Sequence, residues 1–179
     1  AVLRPETVIV FHDGFRLLRW GGWFRRAGMR NVMLDTHQYL IAMEDPLFSG
    51  PARRLYLRSR RLPWLYRMLV GASGIAIRSA ARRIPVLVGE WCVENQWALH
   101  SQNRSAAYRQ VSRLQRAAWD VSAGQIYWSY QLARSAKPGS GEGKPPRDPR
   151  NGGNLEAWDL TRVWRHGWIR ADTSHDDMP

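Results

Sequence analysis

The stretch Ile84-Pro85-Val86-Leu87-Val88-Gly89-Glu90-Trp91 decides the fold: an apolar run that delivers one carboxylate at its carboxyl end. A short run that is apolar at every position predicts a strand buried on both faces, as in the parallel sheet of an α/β protein. Reacting side chains of such folds sit where the strands end. Glu90 is therefore the first candidate for a reacting group.

Three further runs end in the same way. Val8-Ile9-Val10-Phe11 leads into His12 and Asp13, Asn31-Val32-Met33-Leu34 into Asp35, His37 and Tyr39, and Gly124-Gln125-Ile126-Tyr127 into Trp128, Ser129 and Tyr130. Between them the pattern predicts helices over roughly 17–27, 52–68, 78–83 and 104–121. Strands alternating with helices imply successive βα units and a parallel sheet whose carboxyl ends converge on one acidic, aromatic site.

The segments Val10-Phe11-His12-Asp13-Gly14-Phe15, Asp35-Thr36-His37-Gln38-Tyr39, Gly89-Glu90-Trp91 and Tyr127-Trp128-Ser129-Tyr130 resemble, in order and spacing, strands five to eight of glycoside hydrolase family 5, within the cellulase superfamily. The resemblance is strongest to its exo-β-1,3-glucanase-like members. It implies an α/β fold, the C-terminal half of a (β/α)8 TIM barrel. It also implies a retaining β-glycosidase acting on β-glucans, with Glu90 as nucleophile, His37 and Tyr39 as the flanking His-x-Tyr pair and Trp128 as the sugar-stacking tryptophan. A cis peptide after Trp128 belongs to the same expectation, and no cofactor or metal is implied.

The departures from the family pattern are as informative. The family carries an Asn-Glu pair after strand four, whose Glu is the general acid/base, and a polar Arg and His on earlier strands; none of these is found. The chain starts at Ala1, a few residues before the strand that the resemblance numbers five. A full barrel of this type needs about 250 residues, against 179 here. The expectation is one partial catalytic domain over 1–179 with two open sheet edges. Such edges invite pairing with the missing N-terminal half-barrel or self-association. An inactive carbohydrate-binding remnant is the alternative.

The formal net charge of +12 raises nucleic acid as a partner. All but Lys137 and Lys144 of the 27 basic residues are Arg, spread through every segment, which reads as a coding bias. The cluster Arg53, Arg54, Arg58, Arg60 and Arg61 is placed on an outer helix, and neither aromatic interleaving nor a recognisable module accompanies it. No nucleic-acid partner is expected. Cys92 is the single cysteine, so an intrachain disulfide and a zinc spacing are both excluded. No apolar window reaches 18 residues, so no membrane span is predicted. The segment 42–51 is expected to be a structured loop beside the site. The Pro- and Gly-rich segment 133–154 is expected to be a flexible loop after the last strand. A helix around 158–166, closed by Gly167 as C-cap, is expected to pack through Leu155, Trp158, Val163 and Trp164.

The residues themselves support the same chemistry. Glycoside hydrolysis passes through an oxocarbenium-like transition state flanked by two carboxyl groups, of which Glu90 supplies one. His37 and Tyr39, two apart in an extended segment, face the site while Gln38 faces away. Trp128 offers a flat apolar face to a pyranose, and His12 or Asp13 are candidate partners for its hydroxyls. Asp13 after a strand is equally suited to capping the next helix. Glu94 lies in the loop beyond its own strand, which disfavours it as a replacement acid.

Overall fold

The computed structural model describes residues 4, 6–48, 62–132 and 155–170. Its elements run β1 (Ile9–His12), α1 (Leu17–Arg26), β2 (Val32–Gln38), α2 (Leu40–Phe48), α3 (Leu62–Ala81), β3 (Val86–Trp91), α4 (Gln96–His100), α5 (Arg104–Trp119), β4 (Gly124–Tyr127), a 3-10 turn (Leu155–Trp158) and α6 (Leu160–Arg165). The strands form one four-stranded parallel sheet, ordered β1-β2-β3-β4 and flanked by helices, so the chain is an α/β protein. The described residues group into two compact units, one drawn from 1–39, 63–91 and 114–126, the other from 40–62, 92–113 and 127–179.

In the first unit β2 alternates cleanly. Val32, Leu34, Thr36 and Gln38 are buried, and Met33, Asp35 and His37 are partly open. The run 84–91 is not buried on both faces as the sequence suggested. Val86, Val88 and Trp91 are buried, whereas Leu87, Gly89 and Glu90 are partly exposed. Leu87 pairs with Asp35, so its face is shared with a polar stripe and stays open.

Two expected helices, over 52–68 and 78–83, merge. Helix α3 runs unbroken from Leu62 to Ala81, and residues 52–61 with the arginine cluster lie outside the described residues. The stretch 69–77 reads as broken because it contains Gly71, Ser73 and Gly74. It is held instead by a buried stripe of Leu62, Tyr66, Val70, Ile77 and Ala80 at helical spacing. A Cβ at Gly74 would stand 2.8 Å from the carbonyl oxygen of Ala118, so here the glycine permits helix-to-helix contact. Around β1, Phe11, Trp20, Trp23 and Phe24 pack ring against ring at 5.1–5.9 Å, and Trp20 Nε1 donates to the Asp13 carbonyl at 2.7 Å. The apolar residues Val8, Ile9 and Val10 of this edge are 52%, 38% and 50% exposed.

In the second unit the segment expected to be a loop, 42–51, is helical to Phe48, and 49–51 lie outside the described residues. Leu40 and Glu44, one turn apart, are both fully buried, and Glu44 Oε2 accepts from the Gln96 amide at 2.9 Å. That buried one-turn spacing outweighs Pro46 as a turn signal. Asn95 caps α4 by accepting from the Ala98 amide at 2.7 Å. The last helix is split by Asp159, which caps α6, and Gly167 follows its end at φ 63°. Val163 packs as expected, but Trp164 is 47% exposed. The buried tryptophan is Trp168, stacked between Tyr108 at 4.0 Å and His166 at 4.6 Å. Residues 133–154, the expected flexible loop, lie outside the described residues.

Candidate active site

The site is built by alternation on β2 and a register shift on β3. Asp35 and His37 project from the same side of β2, and Tyr39 follows with the same period. On β3 the same alternation would put Glu90 with Val86 and Val88 on the buried face. The pairing prevents this: Thr36 sits opposite Val88 but His37 sits opposite Glu90, so Gly89 is the extra residue. An extra residue in one strand re-aims every side chain after it, and Glu90 is thereby turned onto the open face with His37.

Glycine at position 89 is required by its neighbour. A Cβ there would collide with Asp35 Oδ1. The Asp35 carboxylate therefore occupies the space that any other residue would fill, with Oδ1 buried and, among the described residues, without a hydrogen-bond partner.

Four side chains meet on this face. Tyr39 Oη donates to Glu90 Oε2 at 2.7 Å, and His37 Nδ1 lies 3.1 Å from the same oxygen. On the other side of the ring, His37 Nε2 lies 3.1 Å from Asp35 Oδ2. Glu90, His37 and Asp35 keep 25%, 20% and 20% of their side-chain surface exposed, enough for a ligand to reach them. His12 joins them, its ring edge-on to His37 with centroids 4.3 Å apart. Asp35 precedes the His-x-Tyr pair at the same strand end, and the sequence reading assigns it no role. The signal for it was present, since 35, 37 and 39 share one strand period.

Asp13 is placed elsewhere, and the expectation that it contacts a ligand is corrected. It is 2% exposed. Its Oδ1 accepts from the Phe15 amide at 2.8 Å and its Oδ2 from Thr36 Oγ1 at 2.7 Å. It ends a buried chain of hydrogen bonds on the far face of β2, in which Trp119 donates to Ser73, Ser73 to Gln38, Gln38 to Thr36 and Thr36 to Asp13. A carboxylate with both oxygens satisfied and no exposed surface orders its loop rather than meeting a sugar.

Trp128 belongs to the second unit. Its indole is 49% exposed, the Trp128–Ser129 peptide is cis, and Tyr130 beyond it is 66% exposed. Backbone bonds hold the turn: the Ser129 amide donates to the Trp158 carbonyl at 2.7 Å and the Leu160 amide to that of Ser129 at 3.0 Å. The Tyr127 hydroxyl donates to the Ala157 carbonyl and accepts from the Val93 amide. Burial pushes its pKa well above the ordinary tyrosine value. Burial likewise raises the Cys92 thiol well above its usual value, leaving it protonated and unreactive. Glu94 is 1% exposed.

Among the described residues no cluster of three His, Cys, Asp or Glu is arranged to hold a metal ion, and no helix is long and apolar enough to cross a membrane. Comparison with protein-family models and with curated proteins returns no match.

Proposed function

We propose that the chain is the carboxyl-terminal half of a (β/α)8 barrel of glycoside hydrolase family 5, of retaining β-glycosidase lineage, with Glu90 as its nucleophile and a β-linked glucan as its substrate class. One observation carries the reading. Tyr39 Oη and His37 Nδ1 both address Glu90 Oε2, and Oε1 has no hydrogen bond among the described residues. A carboxylate nucleophile needs this asymmetry: one oxygen held by donors that favour the ionised form, the other free to attack. The placement of Glu90 near the carboxyl end of a parallel strand supports the same reading, as do the four motifs in family order.

In the proposed step Glu90 Oε1 attacks the anomeric carbon, a C–O ester bond forms, and the glycosidic C–O bond breaks with its electron pair leaving on the aglycone oxygen. His12, whose ring lies against that of His37, offers a ring nitrogen to the hydroxyls of the sugar. The acid that would protonate an ordinary leaving group belongs to the half of the family pattern that this sequence lacks. The exposed apolar edge at Val8, Ile9 and Val10 is the surface such a half would cover.

The chain alone is therefore expected to react with an activated donor and not to turn over β-glucan. Incubation with dinitrophenyl 2-deoxy-2-fluoro-β-glucoside should add one glycosyl mass to the protein, on Glu90, and Glu90→Gln should take up none. Absence of an adduct on the wild-type chain, or an adduct that survives Glu90→Gln, would overturn the proposal.

A further inference from the structure

The histidine at the centre of the site has carboxylates on both ring nitrogens, and only one of them was expected to react. Asp35 Oδ2 lies 3.1 Å from His37 Nε2, and Glu90 Oε2 lies 3.1 Å from His37 Nδ1. An imidazole on a half-open strand face has a broad, roughly two-fold preference about χ2. Something must choose which nitrogen faces Glu90.

Asp35 is built to make that choice. Its Oδ1 is buried in the gap left by the missing side chain of Gly89, and its main-chain carbonyl accepts from the Asp13 amide at 2.8 Å. The register shift that turns Glu90 onto the open face is the same one that places Gly89 beside Asp35. Gly89, Asp35, His37 and Glu90 thus close a ring of contacts. Ionised carboxylates only accept, so the Asp35 contact requires a proton on Nε2 and the Glu90 contact one on Nδ1. Leaving Oδ1 buried and, among the described residues, unpartnered costs stability, which a purely structural aspartate would avoid.

We propose that Asp35 is a positioning residue: by accepting the Nε2 proton of His37 it fixes the imidazole so that Nδ1 addresses Glu90 Oε2 and Oε1 is left as the reacting oxygen. The link from His37 to Asp35 stands on geometry alone, whereas its consequence for Glu90 rests on the glycosidase reading. The two parts are tested separately.

Nitrogen-15 imidazole spectra of the full chain at pH 7, with His37 assigned by its loss in His37→Gln, should show a hydrogen-bonded proton on His37 Nε2. Asp35→Asn should move the Nε2 signal toward that of a weaker hydrogen bond, with His12 and His100 unchanged. The rate of Glu90 labelling by the fluoroglucoside should fall about tenfold to a hundredfold in Asp35→Asn, the loss typical when the carboxylate behind a metal-ligating histidine is removed. In a His37→Ala background the same change should alter the rate by less than about twofold, because coupled residues lose their separate effects. An unprotonated Nε2 in the wild-type chain, an unchanged spectrum in Asp35→Asn, or an equal loss of labelling in both backgrounds would overturn the proposal. No labelling of the wild-type chain would refute the glycosidase reading and leave the spectra to decide Asp35.

Discussion

The two faces of β2 carry the same kinds of side chain and treat them in opposite ways. On the buried face Thr36 and Gln38 belong to a hydrogen-bond chain that runs from Trp119 to Asp13, each hydroxyl or amide passing its bond to the next. On the open face, among the described residues, Asp35 leaves one buried oxygen unpaired and Glu90 leaves Oε1 without a partner. Fully satisfied polar groups stabilise a fold and specify one packing. Unsatisfied ones cost stability, and they persist where a ligand or a reaction completes them. One residue of separation along a strand is enough to divide structural work from chemistry.

The strongest way to break this division is at the residue that separates the faces. Gly89→Ala puts a methyl group into the space of Asp35 Oδ1, and neither strand can yield without losing the pairing of His37 with Glu90. Overpacking of this severity is expected to cost at least about 3 kcal/mol. Denaturant unfolding of the variant should show it, with loss of Glu90 labelling. A variant of wild-type stability would mean that Asp35 has room to move and that the ring of contacts is loose.

Thr36→Val tests the buried face. The change keeps the shape and removes the hydroxyl, leaving Asp13 Oδ2 and Gln38 Nε2 unpartnered at sites 2% and 8% exposed. A loss of about 2 kcal/mol is expected, with the labelling rate of Glu90 changed less than the stability. Equal damage to both would show that the two faces are not independent.

The strands and the polar stripe were legible because each depends on local periodicity. The run 84–91 and the spacing of Asp35, His37 and Tyr39 need no knowledge of the rest of the chain. What escaped the sequence depends on contacts distant in the chain. Gly74 reads as a helix breaker until Ala118 is placed against it. Gly89 reads as part of a continuous strand, although an isolated glycine in such a run is a known sign of a bulge. That Trp168 rather than Trp164 is the buried tryptophan of the last segment turned on Tyr108, sixty residues before it in the chain. Asp13 could be read as either ligand contact or loop anchor, and the deciding partner, Thr36, lies on the next strand.

Tyr39→Phe sharpens the comparison from the open side. It removes one hydrogen bond to a carboxylate that is 25% exposed and can be resolvated. Stability should therefore change by less than about 1 kcal/mol. Labelling should slow about tenfold, because Glu90 loses one of the two donors that favour its anionic form. The reverse pattern, with stability falling and labelling intact, would move Tyr39 to the structural side of the strand.

The smallest expected effect concerns a satisfied carboxylate in the second unit. Asp159 is 1% exposed. Its oxygens accept from Thr161 Oγ1 at 2.7 Å, the Arg162 amide at 3.1 Å and the Leu132 amide at 3.1 Å, and Arg162 Nε lies 3.3 Å away. Burial acts to raise its pKa, but these hydrogen bonds and the Arg162 charge outweigh it and hold the carboxyl below the ordinary 3.8. As pH falls, the unfolded chain takes up this proton before the folded one, so the unfolded state gains and stability declines. The contribution is therefore complete well above pH 3.8 and is lost as pH drops through that value toward the lower folded one. Asp159→Ala should cost about 1 kcal/mol at neutral pH, as for a lost helix cap. In denaturant unfolding measured from pH 6 down to pH 2, the gap between wild type and variant should close on the acid side. A gap that stays constant would mean that Asp159 stabilises α6 by shape alone, and that its hydrogen bonds do not distinguish it from the unsatisfied carboxylates at the site.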